Sequence, residues 1–177
     1  MFTILSAVFV GLYAAHRFEM KKLLAVGVFV GVTGAVGGAL LLLEGVTLQT
    51  IKGVILSLIL LYAAISDIRT RECSDYLSVM LLISAFIDCS IPAIIPTAAV
   101  TVIFALLILL IGKSKIGGAD IKLMAAAMIA LGIQRGLAGL TIGLTAAVIV
   151  NLCKKNKQQP FPLVPYLAGG FILSIFL

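Results

Sequence analysis

Two aspartates stand out among the residues able to do chemistry. Asp67 closes the apolar run LILLYAAISD, and Asp120 opens another in GGADIKLMAAAMIA. An ionisable group at membrane depth costs about 2.5 to 3.5 kcal/mol on insertion scales, so it implies a function or a partner. Brought together from separate segments, two carboxylates make an acid/base dyad. Like charges a few ångströms apart do not both ionise, so one keeps its proton while the other takes a proton from water. Such a pair hydrolyses an amide without a metal or a nucleophilic Ser or Cys. His16 is the sole histidine and sits at the first basic connection, which argues against a catalytic triad or a histidine-based metal site. Cys73, Cys89 and Cys153 are odd in number, widely spaced and form no CxxC pair. They are read as packing residues, and no metal or cofactor is expected.

The competing reading is of ordinary interfacial ion pairs, Asp67 with Arg69 or Arg71 and Asp120 with Lys122. The other five of the seven acids have surface explanations. Glu19 and Glu44 fall in connections, and Asp88 falls near the outer end of the fourth apolar segment. Glu72 and Asp75 belong to the polar stretch DIRTRECSDY, where Asp75 could also cap the following helix. Gly117 and Gly118 precede Asp120 and leave room for an extended peptide to approach a carboxylate. A plain loop-to-helix junction with an acid near its N-terminus would look the same.

The elements that must position these acids are membrane helices. Of the 177 residues, 62% are hydrophobic and only 11% are charged, against about 45 to 50% and about 25% in ordinary soluble domains. Too little polar surface remains to coat a soluble globule, and disorder is excluded on the same grounds. Apolar runs suggest eight segments: 2–15, 23–43, 51–66, 76–91, 95–112, 118–133, 136–152 and 162–177. The first reads as a retained span because its basic residues follow the apolar stretch instead of preceding it. The expected fold is all-α, a polytopic membrane helix bundle of about eight transmembrane helices in a single domain, residues 1–177. The glycines of GVTGAVGG (Gly31, Gly34, Gly37, Gly38) suit close backbone approach to a neighbouring helix.

Charge placement sets the orientation. The connections 16–22, 67–75, 113–122 and 153–159 fall on one side and hold eleven of the thirteen basic residues; the other side has only Lys52 and Arg135. By the positive-inside rule the basic side is cytoplasmic, and both termini lie outside. The net charge of +6 is therefore read as a topological signal, with no nucleic-acid partner expected.

Three elements, in order, resemble the type IV prepilin peptidases, a family of GxGD-type intramembrane aspartyl proteases. They are Asp67 with its sequel DIRTREC, GGADIKL around Asp120, and PLVPYLAGG from Pro162 to Gly170. The resemblance spans about residues 51–177, the catalytic core, with residues 1–50 similar to the accessory N-terminal helices of longer members. It departs from the family pattern at Cys73, Ser74 and Asp75, where Ile-Pro-Asn is common, and at Ala119, which stands for the motif's second Gly.

The resemblance implies a membrane aspartyl endopeptidase of type IV pilus or secretion pathways. It would cleave the leader from prepilin-like or preflagellin-like precursors at the cytoplasmic face of the cell membrane, with Asp67 and Asp120 catalytic. Gly117, Gly118, Ala119, Lys122, Pro162, Pro165 and Tyr166 would shape the substrate site, and lipid is the other expected contact. The methyl transfer of larger members is linked to a cytoplasmic domain that the short loop from His16 to Lys22 does not contain, so peptidase activity is expected and methyl transfer is not. A different reading, a small proton-coupled transporter using the two aspartates as a relay, requires carboxylates near the midplane and symmetry between halves. The sequence shows neither.

Overall fold

A computed structural model describes residues 2–17, 22–71, 74–88, 91–111, 117–153 and 162–177. Glu19, Lys21, Glu72, Cys73, Cys89, Lys113, Lys115, Lys154, Lys155 and Lys157 lie outside the described residues. The described chain is helical: α1 (Phe2–Arg17), α2 (Lys22–Glu44), α3 (Leu48–Thr70), α4 (Asp75–Ala85, extended by a 3-10 turn Phe86–Asp88), α5 (Ile91–Ile111), α6 (Gly118–Leu131), α7 (Ile133–Cys153) and α8 (Val164–Ser174).

Eight helices stand where eight apolar segments are expected, but not all have the length of a span. Among the described residues three helices are long and apolar enough to cross a membrane: Val26–Glu44, Leu48–Thr70 and Ile133–Cys153. At 1.5 Å per residue, α3 reaches about 35 Å and the 11-residue α4 and α8 only about 16 Å, against a hydrocarbon core of about 30 Å.

Polar side chains inside these helices are satisfied locally. The hydroxyls of Ser57, Ser84, Thr101, Thr145 and Ser174 donate to carbonyls three or four residues back at 2.6–2.8 Å, which lets them sit in an apolar layer. Among the described residues no buried side-chain nitrogen or oxygen lacks a partner.

Helix α3 is the hub and packs on α1, α2, α4 and α8. With α4, α6, α7 and α8 it closes a ring of neighbours, α3–α4–α6–α7–α8, while α5 lies against α6 and α1 pairs with α2. Leu56, Leu60, Leu81, Leu123, Leu140, Leu167 and Phe171 fill the centre. Large apolar side chains such as Phe9, Leu42, Ile83 and Leu152 are exposed, as expected of faces turned to lipid.

The turn from α2 to α3 shows how local chemistry sets a boundary. Gly45 ends α2 with φ +70° and donates to Leu41 O, the left-handed geometry that glycine adopts without penalty. Thr47 caps α3, its hydroxyl accepting from Thr50 N at 3.2 Å, and the Thr50 hydroxyl donates to Gly45 O at 2.7 Å. Thr47→Ala is expected to cost about 1 kcal/mol, read as a lowered unfolding temperature of the purified protein.

Four sequence readings are corrected. Helix α3 runs to Thr70, so Asp67 is a buried residue of its last turn and not part of a polar connection. Gly31, Gly34 and Gly38 meet nothing within 4 Å of a Cβ position; the close approach is made instead by Gly139 and Gly143 of α7 against Gly170 of α8. Cys153 ends α7 exposed, without a packing role. Glu44 is not simply solvated: its carboxylate meets Arg135 at 3.5 Å and ties the end of α2 to the start of α7.

Candidate functional site

The ring brings Asp67 and Asp120 to one end of the bundle. Asp67 occupies the last turn of α3 and Asp120 the first turn of α6. These two helices are joined through α4 and α8, which pack on both. The two carboxylates are close enough for the charge on Asp67 to act on Asp120.

Each aspartate is fixed by backbone at the start of a helix. Helix α8 begins at Leu163-Val164-Pro165 with no side-chain cap of its own, and Pro165 has no N–H to offer. The Val164 N–H would be an orphan donor; Asp67, 97 residues earlier, supplies the acceptor, with Val164 N donating to Asp67 Oδ2 at 3.1 Å. Arg71, just beyond α3, also acts on Asp67 by its charge. Its own N–H donates to Asp67 O at 3.0 Å, and it turns the chain out of α3 with φ 55°.

Asp120 is the third helical residue after the cap Gly117, and its carboxylate accepts from the Gly117 N–H, one half of a capping box. A Cβ on Gly117 would lie 3.3 Å from Asp120 Oδ2, so a side chain there would crowd the carboxylate. Gly117 is thus placed to position Asp120. Gly118 is exposed with open space around it, and Ala119 is half-buried in the first turn of α6.

The remaining candidate residues divide. Pro162, Pro165 and Tyr166 are half-buried where α8 begins, beside the residue that Asp67 holds. Lys122 does not pair with Asp120: its Nζ meets Asp75 Oδ2 at 2.9 Å, with both side chains largely exposed. That contact links the starts of α6 and α4, and it replaces both the Asp120–Lys122 pair and the capping role read for Asp75; Ser74 occupies the cap position of α4. Exposed pairs are worth about 0.2 to 1 kcal/mol. Lys122→Gln is therefore expected to lower stability by no more than about 1 kcal/mol, checked by thermal unfolding beside Asp75→Asn.

Sequence reasoning missed the Asp67–Val164 bond. Its one signal was negative: a helix start reading Pro-Leu-Val-Pro offers no Ser, Thr, Asp or Asn at the cap, so an acceptor had to come from elsewhere in the fold.

Chemically, the arrangement is two carboxylates at one end of an apolar bundle, the charge of one within reach of the other, each steadied by a backbone donor, with exposed glycine backbone beside one of them. A family model described as the type IV leader peptidase family matches residues 54–152, a stretch that contains both aspartates. No curated protein and no solved structure matches the chain.

Proposed function

The chain belongs to the type IV leader peptidase family, and from that premise we propose that it is an aspartyl endopeptidase that removes the leader from prepilin-like or preflagellin-like precursors. The observation that carries the reading is that Asp67 and Asp120, from separate helices, lie near enough for the charge of one to act on the other. In this reading the pair holds one proton between them. The ionised carboxylate takes a proton from a bound water, whose oxygen attacks the scissile carbonyl. The protonated carboxyl stabilises the developing oxyanion and then passes a proton to the leaving amine. One water is consumed, its OH joining the carbonyl carbon and its H the amine. Which aspartate starts protonated belongs to the coupled pair and not to either residue.

In the same proposal the helices form a multi-pass bundle of eight segments in the cell membrane, with residues 1–50 accessory and 51–177 catalytic. The dyad faces the cytoplasm, where most of the basic connections lie, so a basic leader reaches the site as its apolar helix stays in the membrane. The open space at Gly118 leaves room for the extended segment beside Asp120. Pro165 and Tyr166 flank it from α8. A proton-relay transporter is not supported by the position of the acids, which sit at helix ends and not at mid-helix.

The test is to incubate the purified protein with a precursor bearing a basic leader and an apolar helix, then to sequence the new N-terminus. A single cut at the leader boundary is expected. An intact precursor, together with proton-driven solute uptake into liposomes, would replace the peptidase reading with the transporter.

A further inference from the structure

Outside the dyad, the chain gathers its phenols in one place. Three of its four tyrosines, Tyr13, Tyr62 and Tyr76, line a cavity of about 270 Å³ between α1, α3 and α4. The Tyr13 and Tyr62 ring centres lie 6.0 Å apart, and the Tyr76 hydroxyl donates to the Tyr62 hydroxyl at 3.3 Å. Each ring comes from a different helix, so the three steady one another as an aromatic wall with few torsions left to order on binding. Val10, Leu58 and Met80 line the cavity beside them. Helices α1 and α4 both pack on α3 and make few or no contacts with each other, which leaves the cavity open between them. Tyr13, Tyr76 and Met80 are about half exposed at its edges, while Tyr62 and Leu58 are buried at its floor.

The cavity sits near the dyad's end of the bundle. Tyr62 precedes Asp67 by five residues and Leu58 by nine, about 8 and 14 Å along the α3 axis. Helix α4 starts at that same end, its Asp75 tied to Lys122 of α6, and Tyr76 and Met80 follow in its first two turns. Tyr13 is one turn from Arg17, the last residue of α1. The phenols therefore form the layer nearer the dyad, and Val10, Leu58 and Met80 the layer beneath. Five residues turn about 140° round a helix, so the cavity opens on a different side of α3 from Asp67, which bonds to α8. An extended stretch of about five residues, at about 3.3 Å each, covers the way between them over the end of α3. Acyl chains cover any apolar face, but an occupant continuous with a chain held at the dyad is a peptide whose apolar helix lies in the membrane. The first turn of such a helix carries N–H groups without partners, which need acceptors in an apolar layer; the phenol oxygens are acceptors at that depth.

We propose that this cavity receives the apolar helix of the precursor, with a large apolar side chain about five residues beyond the cleaved bond seated among Tyr13, Tyr62 and Tyr76. The identity of the occupant rests on the peptidase reading of the dyad. Helix α1, outside the stretch 54–152 that the family model matches, then serves as one wall of the substrate site.

The experiment uses the full chain in lipid nanodiscs and a leader-bearing precursor with benzoylphenylalanine about five residues past the leader boundary. After illumination the adducts are mapped by mass spectrometry, and cleavage is assayed in parallel. Adducts are expected on Tyr13, Tyr76 or Met80; adducts on α5 or α7 instead, or none, overturn the proposal. Met80→Trp, which fills the mouth of the cavity, is expected to raise KM for the precursor about tenfold with little change in kcat. It should leave KM unchanged for a short peptide that spans the leader boundary but ends before the apolar helix. Val102→Trp puts the same ring on an exposed face of α5 and should alter neither. No rise for the precursor, or an equal rise for both substrates, overturns the proposal. A benzophenone-bearing phospholipid that labels the cavity and is not displaced by precursor overturns the peptide in favour of lipid. Cleavage without adducts here removes this site alone, whereas adducts here without cleavage keep the site and remove the peptidase reading.

Discussion

Asp120→Asn is expected to reduce leader cleavage by about 10³-fold or more, roughly 4 kcal/mol of transition-state stabilisation, and Asp67→Asn by a similar factor. Asparagine is the informative replacement because each carboxylate also has a structural duty. Asp67 accepts the Val164 N–H at the start of α8, and Asp120 accepts the Gly117 N–H at the start of α6. An amide oxygen can still accept those bonds, so the Asn variants keep the fold while losing the group that exchanges protons. Alanine at position 67 would orphan the buried Val164 N–H, costing about 1 to 3 kcal/mol of stability, and would confound the two effects. The measurement is kcat on a leader-bearing precursor for both single variants and the double variant, with thermal unfolding as the control. If the two act as one unit, the double variant is no slower than either single one. Cleavage by either variant at the unsubstituted rate sinks the dyad. The active form with one proton on the pair also gives a bell-shaped pH profile, with activity falling when both carboxyls are protonated and again when both are ionised.

Much of this site was legible in the sequence because charge is scarce in the chain. With seven acids among 177 residues, each could be weighed, and the two beside apolar runs are the two the fold brings together. Helix number and order followed from apolar runs and the basic connections for the same reason. Three things were not legible. The extent of α3 was misjudged because Asp67, Arg69 and Thr70 look like a connection, whereas the helix continues through them and exposes Arg69 and Thr70 while burying Asp67. Partner choice among charges was hidden because it depends on which helix ends meet. Lys122 is two residues from Asp120 yet pairs with Asp75, 47 positions away, and Arg135 pairs with Glu44 across 91 positions. Helix packing was read from the densest glycine cluster, in α2, whereas the tight interface uses glycines spread more thinly through α7 and α8.

That interface supplies the second large effect. Gly170→Ala is expected to destabilise the protein by about 3 kcal/mol or more, although it adds one methyl group and improves helix propensity. The reason is what the methyl would meet. A Cβ at position 170 falls against Gly139 O, and lies 2.5 Å from Gly143 N and 2.8 Å from Gly143 Cα. These are backbone atoms of α7 and have no rotamer to change, so the helices must separate. Separation forfeits the contacts of Gly139 with Phe171 and Ser174 and of Gly143 with Leu167, in a region whose core includes Phe171 and Leu167. In an apolar solvent such close packing is a main source of helix association, because hydrophobic burial contributes little between lipid-facing helices. The adjacent residue provides the control. Gly169 is exposed, with nothing within 4 Å of its Cβ position, so Gly169→Ala adds the same methyl to the same helix without a collision. It is expected to stabilise by up to about 1 kcal/mol through helix propensity. Thermal unfolding of the two variants should therefore move in opposite directions. A Gly170→Ala protein as stable as the Gly169→Ala one would mean that α7 and α8 do not pack through these glycines. Because α8 begins at the residue Asp67 holds, the displaced helix should also pull Val164 from the dyad, and cleavage by Gly170→Ala should fall together with stability.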